Sequence, residues 1–136
     1  LHACDTATDD AIAKAVKASA SLIVVAPCCH KQIRRAITRT PDGLGFLMRH
    51  GTYVERMSEM VTDGMRAQLM ELSGYRTKLF EFISDAHTPK NVMIVATKRA
   101  QPLTRAELEK LRASVAETKA QFGIGYHQLE RLLPLE

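Results

Sequence analysis

Two short runs of the chain combine carboxylates, thiols, imidazoles and hydroxyls, which are side chains able to do chemistry. The first run extends from Leu1 to Asp9 and reads Leu-His-Ala-Cys-Asp-Thr-Ala-Thr-Asp. The second run, from Pro27 to Lys31, reads Pro-Cys-Cys-His-Lys and follows an apolar segment. Carboxylates and imidazoles transfer protons, thiolates attack electrophiles or bind metals, and an ammonium group binds anions. These two runs are therefore the first candidates for a functional site.

Thiols and imidazoles are also typical zinc ligands, and a zinc site would draw on both runs. The chain has no Cys-x-x-Cys spacing, however, and adjacent cysteines rarely bind one ion together. A second interpretation is a cysteine nucleophile activated by His30, and a third is that the cysteines only pack at a strand end. All three stay open, and no metal ligand is assigned. The zinc set would be His2, Cys4, Cys28, Cys29 and His30.

The positive charge of the chain is concentrated in one segment. The 136 residues include 19 Lys and Arg against 15 Asp and Glu, a formal net charge of +4. Residues 31–56 hold six basic and two acidic residues, so the rest of the chain is neutral overall. The excess is either a solvated helix face or a surface for an anionic partner such as nucleic-acid phosphate. The six basic residues are Lys31, Arg34, Arg35, Arg39, Arg49 and Arg56.

Composition narrows the class of protein. The chain is 46% hydrophobic and 25% charged, as folded globular domains are. No run approaches the roughly 20 apolar residues that cross a bilayer, so no membrane association is expected. Three cysteines, two of them adjacent, predict reduced thiols and a cytoplasmic protein. With no Trp, four Phe and three Tyr, platforms of exposed aromatic residues for stacking bases are not expected.

Two apolar runs predict strands that place these residues. Leu22 to Ala26 and Val92 to Ala96 are rich in β-branched residues and too short for helices. Neither run alternates with polar residues, which predicts burial on both faces, as in a parallel sheet covered by helices. The second reactive run would then begin at the carboxyl end of a strand, where ligands bind in parallel α/β sheets.

Helical patterns fill the segments between these strands. Thr6 and Asp9 resemble a capping box before an apolar stripe, and a basic helix is expected after His30. A longer helix is predicted from Tyr53 to Ser73, with a methionine-rich stripe facing the core and Gly74 as its end. Strands alternating with helices make the chain an α/β protein.

The last part of the chain carries the clearest helix signal. Thr104 and Glu107 form a capping box directly after Pro102, and apolar residues then recur on one face. This helix is predicted to end within residues 121–125. Residues 126–133 are predicted to form a final, partly exposed strand.

The two reactive runs, about 18 residues apart, resemble those of class I S-adenosylmethionine-dependent methyltransferases. In that family a His-x-Cys-Asp or His-x-Cys-Gly strand end precedes Ala-Thr-Asp, and a Cys-Cys-His or Cys-Cys-Tyr turn follows the next strand. Some tRNA 2′-O-methyltransferases carry a similar pair, with Gly where this chain has Asp5. The segment from His87 to Ile94 is also similar to members of this group.

The resemblance implies that the first run ends the fourth strand of a seven-stranded sheet and that the turn follows the fifth. Residues 1–134 would then be the carboxyl-terminal half of a methyltransferase domain, a partial Rossmann-like sheet with flanking helices. The glycine-rich turn of the first half has no counterpart in the chain. Residues 135–136, Leu-Glu, are expected to be a cloning scar.

The resemblance also implies roles for individual residues. Asp5 and His30 would be catalytic, and His2, Ala3 and Cys4 would border S-adenosyl-L-methionine. RNA would be the substrate, although this chain alone is expected to be inactive and to bind the cofactor weakly. A homodimer through an exposed sheet edge is a further expectation. The alternatives are a non-enzymatic nucleic-acid- or protein-binding module and a zinc-binding domain. The substrate-binding residues would be Pro27, Cys28, Cys29, Lys31, Arg34, Arg35 and Arg39.

Overall fold

The computed structural model describes residues 5–135, which form a mixed α/β fold. Three strands make one sheet, and helices of very different length complete the fold. In chain order the elements are α1 Ala7–Lys17, β1 Leu22–Val25, α2 Lys31–Ala36, α3 Gly45–Met48, α4 Gly51–Leu72, β2 Tyr75–Glu81, β3 Val92–Lys98, α5 Arg105–Phe122 and α6 Gln128–Leu132.

The sheet has the order β1-β3-β2, and β3 is antiparallel to both neighbours. Val95 pairs with Val24 on one side and with Lys78 on the other. The prediction of a parallel sheet is therefore wrong for the strands that touch, although β1 and β2 run in the same direction on either side of β3. A short apolar run indicates burial, but it does not indicate the direction of the neighbouring strand.

Only one face of the sheet is covered by helices. Ile23, Ile94 and Ala96 point into the core, whereas Leu22 and Val24 of β1 are 56% and 50% exposed. The expectation that both faces are buried is therefore wrong. The exposed face continues across the sheet to Phe80 of β2. Its alternation with the buried face follows the two-residue period of a strand.

Helix α4 supplies much of the core. Val61, Met65 and Leu69 recur at four-residue steps and are buried against Ile12 of α1 and Leu129 of α6. The methionine-rich stripe thus faces the core, as predicted from its helical spacing. Such a stripe buries apolar side chains worth about 1.5–3 kcal/mol each relative to exposure.

The predicted ends of α4 and α5 are confirmed. The Thr104 hydroxyl accepts a bond from the backbone N–H of Glu107, and the Glu107 carboxylate accepts one from the N–H of Thr104. Gly74 follows α4 with a φ of 89°, a left-handed conformation that glycine adopts without steric cost. Both signals are local, so they do not depend on the rest of the fold.

Two local predictions are wrong. Thr6 is the N-cap of α1, but its side chain makes no capping bond among the described residues, and the Asp9 carboxylate binds Arg66 instead. Within residues 126–133 the chain forms helix α6, Gln128–Leu132, rather than a strand. The side chain of His127 caps this helix, because its Nδ1 accepts the N–H of Leu129 at 3.1 Å.

Two remaining findings concern membrane-spanning helices and the carboxyl-terminal residues. Within residues 5–135, no helix has both the length and the apolar character needed to cross a membrane. Leu135 is half-buried against the core. The prediction that residues 135–136 are a cloning scar stays a prediction.

Candidate functional site

The two reactive runs meet at the carboxyl end of β1. After Val25 the chain turns through Pro27, which is buried, and Cys28 and Cys29, which are half-buried thiols. The backbone N–H of Asp5 donates to the Sγ of Cys29 at 3.1 Å. The predicted proximity of the two runs is therefore present from Asp5 onward, while His2, Ala3 and Cys4 lie outside the described residues.

Asp5 is held in an unusual conformation at this edge. Its φ is 69°, in the left-handed region, where Asp is one of the few non-glycine residues found with some frequency. One carboxylate oxygen lies 3.9 Å from Nη1 of Arg35. The other oxygen, Oδ1, is buried and has no hydrogen-bond partner within residues 5–135. A buried carboxylate oxygen without a donor is available to a proton or a hydrogen-bond donor of a ligand.

A buried ionic cluster fixes the turn from below, and we call it the inner cluster. Arg66 of α4 binds Asp9 of α1 through two bonds, Nε to Oδ1 at 2.8 Å and Nη2 to Oδ2 at 3.2 Å. It also donates to Asp63 Oδ1 at 3.0 Å and, through both Nη atoms, to the carbonyl oxygen of Cys29 at 3.3 Å. The guanidinium therefore ties α1 and α4 to the Cys-Cys turn.

Burial and charge oppose each other in the inner cluster. Burial raises the pKa of Asp63, against the opposing effect of Arg66. Burial by itself would lower the pKa of Arg66, but the hydrogen bonds and charges of Asp9 and Asp63 together outweigh it, so the pKa is raised above its ordinary value. Sequence reasoning missed Arg66. The sequence does contain a signal for this residue, because Asp63 and Arg66 carry opposite charges three residues apart among the apolar residues of the predicted helix.

His30 lies in a second ionic group, the outer cluster, above the same turn. Its Nε2 is 2.5 Å from Oε1 of Glu55, and its Nδ1 is 3.3 Å from Nζ of Lys90. Lys90 also binds Glu59 at 2.9 Å. Since an ammonium group only donates, Nδ1 must accept, and the Nε2 hydrogen must be donated to Glu55. This bond from His30 lowers the pKa of Glu55.

Both ring nitrogens of His30 are thus bonded to protein groups. The imidazole is 8% exposed, so His30 is a buried part of the turn rather than a surface residue. It joins α4 and the segment before β3 to the turn. The segment from His87 to Ile94, noted for its resemblance, supplies Lys90 to this contact.

Two interpretations involve the thiols, a cysteine nucleophile and a zinc site, and the structure affects them differently. His30 bonds to Glu55 and Lys90, which occupies the nitrogens that a cysteine–histidine pair would use. Within residues 5–135, no group of three or more His, Cys, Asp or Glu side chains could hold a metal ion. Two members of the zinc set, His2 and Cys4, lie outside that part.

Three basic residues lie on α2, and one of them, Arg35, stands beside Asp5. Lys31 and Arg35 are exposed, and Arg34 is half-exposed, with its Nε 3.3 Å from Oε2 of Glu55. Arg39 points elsewhere, because its Nη1 donates to the carbonyl of Ala120 at the end of α5. The structure therefore brings together the α2 part of the predicted substrate surface and separates Arg39 from it.

A cavity of about 600 Å³ lies between α4 and the edge of β2, next to the outer cluster. Its apolar lining includes Met60 and Leu79. Four carboxylates and a single arginine also line it, so it favours groups that donate hydrogen bonds or carry positive charge. No sequence pattern pointed to this cavity. The charged lining residues are Arg56, Glu59, Asp63, Glu81 and Asp85.

A family model described as a methyltransferase domain matches residues 1–36. The matched part contains both reactive runs, α1, β1 and α2, and it includes each predicted site residue except Arg39. No curated protein and no solved structure matches the chain. The match supports a methyltransferase domain that includes the edge of β1.

Proposed function

We propose that the chain is part of a class I S-adenosylmethionine-dependent methyltransferase whose reactive edge is the carboxyl end of β1. The observation that carries the proposal is the contact between Asp5 and Cys29. It joins an acid of the first run to the turn of the second, and both lie inside the residues that match a methyltransferase domain. An acid beside a strand end is placed where ligands bind in α/β sheets.

The strand order gives independent support. In the seven-stranded sheet of class I methyltransferases, the last strand runs antiparallel between the fifth and the sixth. The order β1-β3-β2 has this arrangement if β1 is the fifth strand. Residues 1–134 would then be the carboxyl-terminal half of the domain. The outer edge of β1 is where the first half would pair, and without it a homodimer through that edge is the expected state in solution.

The described residues fit the cofactor at one point. By resemblance, His2, Ala3 and Cys4 would border S-adenosyl-L-methionine, and Asp5 follows them directly. Its Oδ1, which has no hydrogen-bond partner within residues 5–135, is left for the methyl acceptor. When bound, this cofactor supplies an electrophilic methyl group whose carbon–sulfur bond breaks as the new bond forms, leaving a neutral thioether.

The residues of this chain would then hold the acceptor and take its proton. Asp5 is the general base, because its Oδ1 faces no competing donor in residues 5–135. His30, bonded on both sides, positions the turn and does not itself exchange a proton with the acceptor. RNA is the proposed substrate, with Lys31, Arg34 and Arg35 on its phosphates. In this scheme Arg39 makes at most an outlying phosphate contact.

The decisive experiment is a methyl-transfer assay on the full-length protein, with bulk RNA and bulk protein as competing acceptors. We expect labelled methyl groups on RNA, and a loss of about a hundredfold or more with Asp5→Asn, which keeps size and backbone preference. Asp10→Asn, an exposed acid on α1, is the matched control and should stay active. RNA binding without methyl transfer would favour a binding module. Methylation of protein instead would assign the carboxylate-lined cavity to a cationic side chain.

A further inference from the structure

Two aromatic side chains stand out on the surface of the basic segment. Phe46 of α3 is 65% exposed, and Tyr53 in the first turn of α4 is 44% exposed. A large apolar side chain in water forgoes the roughly 1.5–3 kcal/mol that burial contributes. The sequence predicted no platform for stacking bases, because aromatic residues are few. The structure nevertheless places two of them, exposed, within residues 31–56.

Cationic groups alternate with these aromatic rings. Arg49 lies between them in the chain, and its Nε is 3.1 Å from Nε2 of His50. The ring of His50 contacts the edge of Tyr53, with centroids 5.9 Å apart and planes at 85°. Arg56, which is exposed, follows Tyr53 by three residues and so shares its helix face. We call Phe46, Arg49, Tyr53 and Arg56 the aromatic–basic patch.

The patch is continuous with the proposed substrate surface. Glu55, in the same turn of α4 as Tyr53 and Arg56, binds both His30 and Arg34. Arg56 follows Glu55 directly on this turn, whereas Tyr53, two residues before Glu55, lies further around the helix, so the patch adjoins the turn after β1 on its Arg56 side. A polyanion bound along α2 would therefore meet the aromatic–basic patch next.

We propose that the aromatic–basic patch binds single-stranded nucleic acid, with bases stacked on Phe46 and Tyr53 and phosphates on Arg49 and Arg56. The inference deepens the proposed function and rests on its choice of RNA as substrate. Charge complementarity favours a nucleic acid, since the segment that contains the patch carries the whole positive excess of the chain. Rings next to cations are the combination that single-strand binders use, because stacking needs unpaired bases.

Other anionic partners make different demands on the patch. A duplex offers phosphates but keeps its bases stacked on one another. It would therefore contact the arginines, and its bases would not stack on Phe46 and Tyr53. An anionic lipid surface would take both the rings and the arginines. The comparison of single strand, duplex and vesicle therefore separates the three partners.

The chain has no Trp, so Phe46→Trp introduces a single indole at the patch. We expect a short single-stranded oligoadenylate to quench its fluorescence and the same length of duplex RNA to do so much less. Stronger binding to phosphatidylserine vesicles than to the single strand would overturn the proposal. So would equal quenching by duplex and single strand.

Affinity measurements on variants complete the test. Phe46→Ala and Tyr53→Leu should each weaken single-strand binding about fivefold or more, while Tyr53→Phe, which keeps the ring, should not. The control is Phe82→Ala, which removes a 40% exposed ring outside residues 31–56. If Arg34→Ala with Arg35→Ala weakens binding but the ring variants do not, the patch is wrong and the proposed function survives. If no RNA binds at all, both fail.

Discussion

The two ionic clusters on either side of the Cys-Cys turn use similar groups in opposite surroundings. In the inner cluster, Arg66 and Asp9 have side chains only 2% exposed. In the outer cluster, Glu55 is 56% exposed, and it divides its two oxygens between His30 and Arg34. Both clusters hold the same few residues of backbone, so the difference between them lies in burial rather than in geometry.

Burial decides what each cluster contributes. Removing one partner of a buried pair leaves an uncompensated charge out of water, whereas an exposed pair is screened and contributes little. The inner cluster therefore fixes the position of the turn. In the outer cluster the exposed partner, Glu55, contributes little, although the His30 ring itself is buried.

The largest effect should come from the inner cluster. Asp9→Ala removes both carboxylate oxygens from Arg66, and we expect it to destabilise the fold by about 3–5 kcal/mol. Urea unfolding followed by circular dichroism measures this change. Asp10→Ala, the neighbouring exposed acid, is the control and should change little. A loss below about 1 kcal/mol for Asp9→Ala would remove the distinction between the clusters.

A pH effect of nearly this size should come from His127, whose pKa the charges of Asp9 and Arg66 also influence. Burial, chiefly, lowers the pKa of His127 to about 4 from an ordinary 6.5. The unfolded chain therefore binds a proton between these values and the folded chain does not. This contribution to stability is full above pH 6.5 and falls by about 3 kcal/mol as the pH drops to 4.

The variant His127→Asn isolates this contribution. Asparagine caps helices but does not titrate, so the variant should lose less stability than the parent between pH 6.5 and 4. Unfolding curves at several pH values give the comparison. Parallel pH dependences for parent and variant would show that His127 keeps an ordinary pKa.

The smallest effect should come from the outer cluster. Glu55→Gln keeps an oxygen that can accept from His30 and removes only an exposed charge, so we expect a loss under about 1 kcal/mol. The matched control is Glu109→Gln on α5, which also removes an exposed partner of an arginine. A loss as large as that of Asp9→Ala would mean that the outer cluster, too, carries the turn.

Features with a local cause were predictable from the sequence. The capping box at Thr104 and the stop at Gly74 depend on residues a few positions apart, and both are present. Strand β2 was missed, although Tyr75, Thr77 and Leu79 alternate with charged or polar residues after that glycine. Helix α6 is predicted as a strand, although Leu129, Leu132 and Leu133 already have the three- and four-residue spacing of a helix, and its five residues are too few for a strong signal.

Features fixed by distant partners were not predictable. The pattern placed Asp5 near the Cys-Cys turn because both follow strand ends. It could not show that Asp9 would bind a residue 57 positions away, or that His30 would meet Lys90 60 positions away. Those choices depend on which helix covers which side of the sheet. A capping acid and a buried ion-pair acid look alike in sequence.

The place of β1 in the sheet also determines the order of events during synthesis. Within residues 5–135, β1 pairs with β3 alone, and Val24 meets Val95 only after about 70 further residues have been made. At the usual 5–20 residues per second, the nascent strand waits on the order of several seconds for its partner. β2 and β3, in contrast, pair across one short connection. Within residues 5–135, β1, which carries the Cys-Cys turn, therefore waits longest for the strand it pairs with.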